Sequence, residues 1–96
     1  MKEQNLVAQA INRLKGIGYV VRIASDGETR YVIGDDVPTS SVIDRADGTE
    51  QATFHLERPG HHCSLFVVWG LGEDVVADMS ADSADELELI DELVYG

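Results

Sequence analysis

Residues 78–95 read DMSADSADELELIDELVY, and this stretch predicts a capped amphipathic helix at the end of the chain. Ser83 and Glu86 have the spacing of a capping box. In that motif the serine hydroxyl accepts a hydrogen bond from the amide three residues on, and the glutamate carboxylate reaches back to the amide of the cap. The apolar residues that recur at the helical period, and so predict one buried stripe, are Leu87, Ile90 and Val94, flanked by Leu93.

The opposite side of this predicted helix is almost entirely carboxylate, formed by Asp85, Glu88 and Glu92 with Asp91 beside them. Asp91 and Glu92 fall in the last turn, where the helix dipole and the like charges each oppose them by a few tenths of a kcal/mol up to ~1. No lysine or arginine follows them in the sequence. Negative charge at that end therefore costs stability, which indicates that the charge has a purpose.

The 96-residue chain has a formal net charge of −11, and the charge is concentrated in its second part. Through Arg58 there are seven Lys/Arg against nine Asp/Glu, whereas from Pro59 onward there are nine Asp/Glu and no Lys/Arg. Such a field repels DNA, RNA and anionic membranes and attracts basic surfaces. Solubility is the alternative explanation, because surface acids serve it well. Solubility does not, however, require that half of the chain lack every positive charge.

Hydrophobic periodicity predicts an α+β fold with two terminal helices and an antiparallel sheet. Apolar side chains repeat at the helical period over residues 2–15, and Gly16 provides a left-handed cap. The segments with strand character are residues 18–24, 29–33, 50–57, 63–69 and 74–79. Asp26–Gly27 and Pro59–Gly60 predict tight turns. A sheet with one polar and one apolar face needs cover on one side. We therefore expect a single twisted antiparallel meander with both helices on the same face.

Alternation within the strands predicts which side chains face the helices. Tyr19, Val21 and Ile23 share one face of the first strand. Residues 39–44 stay open between a short strand, a helical turn and a loop. The single cysteine, Cys63, heads the most apolar strand, where we expect a buried free thiol.

Length and composition predict one globular domain that spans residues 1–96. The hydrophobic content of 44% argues against disorder. The sequence has no run of about 18 apolar residues, and its first residues lack the apolar core of a signal peptide. Because one cysteine cannot form an intrachain disulfide, we expect cytoplasmic residence.

No constellation of residues predicts catalysis, a metal site or a cofactor. His61, His62 and Cys63, with His55 across a predicted hairpin, form the only cluster with metal-ligand chemistry, but adjacent strand residues point to opposite faces. A nucleophilic Cys63 is also disfavoured, because burial leaves a thiol inert. The segment 34–49 is the only stretch long enough to form a pocket-bearing loop, and it offers no identifiable nucleophile. We therefore expect a protein that is not an enzyme.

The carboxylates near the end of the chain predict a partner-binding surface. Helical residues three and four apart lie about 5–6 Å apart at Cβ, comparable with the closely spaced phosphates of duplex DNA. A helix of this kind fits a basic groove meant for nucleic acid and is steered towards it electrostatically. The residues assigned to this surface are Asp78, Asp82, Asp85, Glu86, Glu88, Asp91 and Glu92.

In overall character the chain resembles the small acidic anti-defence proteins of phages and mobile elements, which include anti-CRISPR proteins and anti-restriction DNA mimics. The seven carboxylates named above carry the likeness, which covers size, charge and fold class rather than alignable positions. The resemblance implies a viral inhibitor that occludes a basic nucleic-acid-binding protein or complex, such as a CRISPR effector, in the cytoplasm of the host cell. It also implies no catalysis, no cofactor and no direct binding of nucleic acid.

The alternative is a non-catalytic structural or interaction module that forms a homodimer through an apolar contact. Leu71 at a turn tip, Tyr95 at the end of the last helix, or an unpaired sheet edge would supply that contact.

Overall fold

The structure is a computed structural model that describes residues 2–25, 29–34, 37–46 and 50–95. In this part of the chain, three helices and five strands pack around one hydrophobic core. The elements in chain order are α1 (Lys2–Lys15), β1 (Val20–Ser25), β2 (Arg30–Val32), α2 (Thr39–Ala46), β3 (Gln51–Arg58), β4 (His61–Val68), a 3-10 turn (Gly72–Asp74), β5 (Val76–Ala81) and α3 (Ala84–Tyr95). Both predicted terminal helices are confirmed. The predicted Asp26–Gly27 turn lies outside the described residues. None of the described helices combines the length and the apolar character needed to cross a membrane.

The strands form one antiparallel sheet in the order β2-β1-β3-β4-β5, and α1 contacts both α2 and α3. The predicted α+β class is therefore confirmed. The simple meander was wrong at one connection, because β3 pairs with β1 and not with β2. Residues 39–46 explain the difference. They form α2, which buries Val42 and Ile43 and carries the chain from β2 to the other side of β1.

One face of the sheet supplies the core, and the helices cover that face. In β3 the buried residues alternate with exposed ones, as the sequence predicts for Phe54 inward and His55 outward. Burying a large apolar side chain contributes about 1.5–3 kcal/mol. The largest fully buried side chains include Tyr19, Phe54, Ile11, Leu14, Leu56, Leu65 and Ile90.

A β-bulge in β1 changes which residues of that strand face the core. The β1–β3 register shifts between Val21 and Ile23, so one extra residue lies on β1. Ile23 then pairs with the exposed His55, whereas Ala24 pairs with the buried Phe54. The prediction that Ile23 shares one face with Tyr19 and Val21 was therefore wrong, because strict alternation does not continue through a bulge.

The connection from β4 to β5 is fixed by a side chain of α1. The carboxylate of Glu3 accepts hydrogen bonds from the backbone N–H groups of Gly70 and Gly72, at 2.8 and 2.7 Å. Both glycines have positive φ, 98° and 65°, which other residues rarely adopt. This contact sets the position of the 3-10 turn, which carries the exposed Asp74 and leads directly into β5.

Candidate partner-binding groove

A groove of about 590 Å³ runs between β5, an edge strand of the sheet, and α3. The residues that line it are Ala77, Asp78 and Met79 of β5 and Ala84, Leu87, Glu88, Asp91 and Tyr95 of α3. The α3 residues share one side of the helix because they are three or four positions apart. The volume lies in the range of ligand-binding clefts, about 300–1,000 Å³.

The predicted apolar stripe of α3 is confirmed for Ile90, which is buried, and for Leu93 and Val94, which pack against the core, but not for Leu87. Leu87, expected to be buried, is 37% exposed and lines the groove, whereas Glu86 and Ile90 are buried. The prediction of a buried Leu87 was therefore wrong, because Glu86, one position earlier and about 100° away around the helix, is the buried residue in that turn.

Glu86 was expected to be exposed in the acidic row, and this expectation was wrong: the residue is 5% exposed and fully paired. Its carboxylate accepts hydrogen bonds from Nε and Nη2 of Arg58, at 2.9 and 2.8 Å, and from the hydroxyl of Tyr19. The same guanidinium lies over the Tyr19 ring, 5.4 Å from its centroid. The hydrogen bonds from Arg58 hold the pKa of Glu86 below its usual value, against the opposing effect of burial. Its charge is therefore used within the fold.

The capping box at the start of α3 is half formed. The Glu86 amide donates to the Ser83 hydroxyl oxygen at 3.2 Å, which confirms the serine cap. The expected return contact from the Glu86 carboxylate to the cap amide was wrong. That carboxylate is instead held by Arg58 and Tyr19, whose positions in the chain are 28 and 67 residues away.

Asp82 is exposed but engaged by the neighbouring β3–β4 hairpin end. Its carboxylate accepts the backbone N–H of His62 at 3.3 Å and lies 3.2 Å from Nδ1 of His61. Burial opposes its ionisation, but these hydrogen bonds outweigh burial and hold the pKa of Asp82 below its usual value. Asp82 is therefore ionised, and these contacts hold its carboxylate against the start of β4.

The remaining carboxylates of the predicted surface, Asp78, Asp85, Glu88, Asp91 and Glu92, are all exposed. Asp78, Glu88 and Asp91 line the groove, whereas Asp85 and Glu92 lie elsewhere on the exposed side of α3. The ion pairs among the described residues are Arg22–Glu57, Arg58–Glu86 and the contacts of His61 with Asp82 and Glu86. Within that part of the chain, the groove carboxylates thus have no cationic partner.

Tyr95, in the last turn of α3, lines the groove, and nearby negative charges affect its pKa. Its hydroxyl donates to the Val76 carbonyl oxygen at 2.6 Å, while the residue remains 54% exposed. Partial burial raises the pKa of Tyr95, and the negative charges of Asp91, Asp78 and Asp74 raise it further. These three carboxylates come from α3, β5 and the 3-10 turn, so three separate elements bring negative charge to one aromatic ring.

The C-terminal end of α3 receives a cation from another helix. Nη1 of Arg13 in α1 donates to the Leu93 carbonyl oxygen at 3.1 Å. This contact compensates the helix dipole, which the sequence alone left without a following lysine or arginine. It does not pair with Asp91 or Glu92, so their charges stay available at the surface.

Two backbone groups of β5 are already bonded to side chains of the protein. Tyr95 occupies the Val76 carbonyl oxygen, and the Met79 N–H donates to Oδ1 of Asp78 at 2.8 Å. An edge strand with occupied backbone groups is a poor template for strand addition. The Val76 carbonyl and the Met79 N–H are therefore not available for pairing with an added strand.

The histidines and the cysteine do not converge on one point. Cys63 is buried in the core, His62 is exposed, and His61 turns to Asp82. Burial raises the pKa of the Cys63 thiol to about 11. Among the described residues, no three His, Cys, Asp or Glu side chains are placed to hold a metal ion. The segment 34–49, in which residues 39–44 were left open between a strand, a helical turn and a loop, contains α2. Residues 35–36 and 47–49 lie outside the described ranges.

Sequence reasoning missed the apolar part of the groove, namely Leu87, Met79 and the ring of Tyr95. The signal available was the spacing of Leu87, Asp91 and Tyr95, which are four residues apart and share one helix side. No protein-family model, curated protein or solved structure matches the chain. The function is therefore argued from the groove and its charge.

Proposed function

We propose that this protein is a small acidic inhibitor that binds the basic, nucleic-acid-binding surface of a partner protein. One observation carries the proposal: three exposed carboxylates, those of Asp78, Glu88 and Asp91, line one groove between β5 and α3. The negative charges of Asp91, Asp78 and Asp74 also raise the pKa of Tyr95, which lines the same groove. Ion pairs among the described residues leave these groups unneutralised. Their field therefore extends into solvent and attracts a surface of opposite sign.

The spacing of the exposed carboxylates supports competition with nucleic acid. Asp85, Glu88 and Glu92 follow one another along α3 at intervals of three and four residues, so adjacent Cβ atoms lie about 5–6 Å apart. A DNA- or RNA-binding surface holds lysine and arginine side chains for a row of closely spaced phosphates. An acidic row of this kind occupies those side chains without catalysis, which is the activity of the DNA mimics that the chain resembles.

The test is a capture experiment on lysate from a candidate host at low and at high salt, followed by competition. Wild type is compared with Glu88→Gln/Asp91→Asn, which removes two charges from the groove. The matched control is Asp44→Asn/Glu50→Gln, which removes two exposed charges, one from α2 and one from the residue before β3. We expect wild type and the control to capture one nucleic-acid-binding protein that salt releases, and the groove variant to lose it.

The captured protein is then assayed for binding of its own nucleic acid. Increasing concentrations of wild type should displace the nucleic acid, and the groove variant should displace it far less. Capture that is equal for all three proteins, or a partner whose nucleic-acid binding is unchanged, would sink the proposal.

The second candidate function is the homodimeric interaction module, and exposed apolar side chains favour it. Val32 on the edge strand β2 is 81% exposed, and Leu71 beside the 3-10 turn is 50% exposed. An exposed apolar side chain on an edge strand favours pairing with another chain. Sedimentation equilibrium of wild type and Val32→Lys distinguishes the two functions, because this candidate requires a dimer that persists in high salt and that the lysine disrupts.

A further inference from the structure

We infer that the group of the partner that enters the groove between β5 and α3 is an arginine side chain. This inference rests on the proposed function and names the chemistry of the contact. The groove combines three features in one place: an anchored aromatic ring, carboxylates on both walls, and an apolar base. Each of them favours a guanidinium over other groups that a basic surface presents.

The aromatic ring is that of Tyr95. Its hydroxyl is fixed by the hydrogen bond to the Val76 carbonyl oxygen, and the residue is 54% exposed. An anchored ring needs no ordering when a ligand stacks on it, which favours affinity. The planar, weakly hydrated guanidinium of arginine stacks on aromatic faces and gains cation–π attraction there.

The carboxylates lie on opposite sides of the groove. Asp78 is on the β5 wall, and Glu88 and Asp91 are on the α3 wall. One oxygen of Asp78, Oδ1, accepts the Met79 N–H at 2.8 Å, which orients the carboxylate and leaves its second oxygen for a ligand. A guanidinium has five N–H donors in a rigid fork and can bond to both walls at once, whereas an ammonium is a compact charge with three donors.

The apolar base suits the stem of the arginine side chain. Ala77, Met79, Ala84 and Leu87 are apolar residues that line the groove together with the carboxylates. Arginine buries its methylene groups along such a surface while its head group stays at the polar rim. A phosphate is disfavoured in this groove by sign, because the carboxylates of Asp78, Glu88 and Asp91 line it.

The experiment uses the full chain and three blocked tripeptides, acetyl-Leu-X-Leu-amide, in which X is arginine, lysine or citrulline. Citrulline keeps the shape of arginine without its charge. Amide chemical shifts are followed by NMR up to about 10 mM peptide, a range that covers weak contacts in the millimolar range. We expect the arginine peptide to shift the amides of residues 77–79 and 87–95 and to bind at least about threefold more tightly than the lysine peptide. We expect no saturable shifts from citrulline.

Two variants at one position separate the ring from its hydroxyl. Tyr95→Leu should weaken binding of the arginine peptide about two- to fivefold, as expected for loss of a cation–π contact at an exposed site. It should also remove the preference for the arginine peptide over the lysine peptide. Tyr95→Phe keeps the ring and should keep the preference. Equal binding of arginine and lysine, shifts outside the groove, or no shifts at all would overturn the inference.

The outcomes for this inference and for the proposed function can be told apart. If a nucleic-acid-binding partner is captured through the groove but the peptides show no arginine preference, only the arginine assignment fails. If the arginine peptide binds in the groove but no captured partner loses its nucleic acid, the inhibitor proposal fails and the groove remains a site for arginine.

Discussion

The hydroxyl of Tyr95 donates a hydrogen bond to the carbonyl oxygen of Val76 at 2.6 Å, and this bond ties the last turn of α3 to the edge strand β5. The bond fixes the end of the groove and the orientation of its only aromatic lining residue. Because the Tyr95 ring is held in place, it would lose little conformational entropy on binding a partner.

The first prediction concerns this bond. Tyr95→Phe removes the hydroxyl and leaves the Val76 carbonyl without its partner, so the free energy of unfolding should fall by about 1 kcal/mol. Urea denaturation measures this loss. Tyr31→Phe is the control, because the Tyr31 hydroxyl makes no hydrogen bond to the described residues. Equal stability of Tyr95→Phe and wild type would show that the bond does not hold α3 to β5.

The second prediction concerns the buried Glu86 and the pH dependence of stability. Glu86→Gln removes the charge that pairs with Arg58, and the amide reproduces only part of the carboxylate's hydrogen bonding to Arg58 and Tyr19. We expect the free energy of unfolding at neutral pH to fall by about 1–3 kcal/mol. Urea denaturation at neutral pH checks the size of the loss.

The sign of the pH effect follows from the lowered pKa of Glu86. The unfolded carboxyl titrates near pH 4.3, so the stabilisation by the ion pair is complete above that pH. It disappears as the pH falls from there through the lower folded pKa. The stability difference between wild type and Glu86→Gln should therefore shrink steadily below about pH 4. A difference that stays constant down to pH 3 would contradict the ion-pair explanation.

Ser83 and Glu86 show which features of α3 the sequence predicts and which it does not. Their spacing predicts a helix start, and the serine cap is present. The role of Glu86 was not predictable, because its partners Arg58 and Tyr19 come from β3 and from the residue just before β1. A periodic pattern assigns a helix face from its apolar residues, so a buried glutamate shifts the true face without leaving a local signal.

The same limit applies to the order of the strands. Alternation identified all five strands, because it depends only on neighbouring residues. It did not show that β3 pairs with β1, since that pairing depends on α2 carrying the chain across β1. The acidic side of α3 was predictable from composition, whereas the groove was not, because Met79 and Leu87 meet only when β5 and α3 pack.

The third prediction concerns Cys63, whose thiol is 4% exposed and has its pKa raised by burial to about 11. Only the thiolate attacks a disulfide reagent. At pH 8 the folded thiol should be ionised to about one part in a thousand, against roughly a quarter for an unperturbed cysteine of pKa 8.5. Reaction with Ellman's reagent should therefore be at least a hundredfold slower for the folded chain than for the chain in urea. Comparable rates would show that the thiol is accessible and ionised.

The fourth prediction is that the charge of Asp91 lowers the stability of the fold but strengthens partner binding. Its carboxylate lies near the C-terminal end of α3, where the helix dipole opposes it, and it lines the same groove as Asp78 and Glu88. Asp91→Asn should therefore raise the free energy of unfolding by a few tenths of a kcal/mol, up to about 1, while it weakens binding of the captured partner. Asp44→Asn, near the C-terminal end of α2, should raise stability similarly and leave binding unchanged. Urea denaturation and partner titration at low salt measure the two effects.

If Asp91 served solubility alone, the Asp91→Asn and Asp44→Asn variants would bind the partner equally well. Opposite changes in stability and affinity at Asp91, absent at Asp44, are expected only if the charge is kept for a partner.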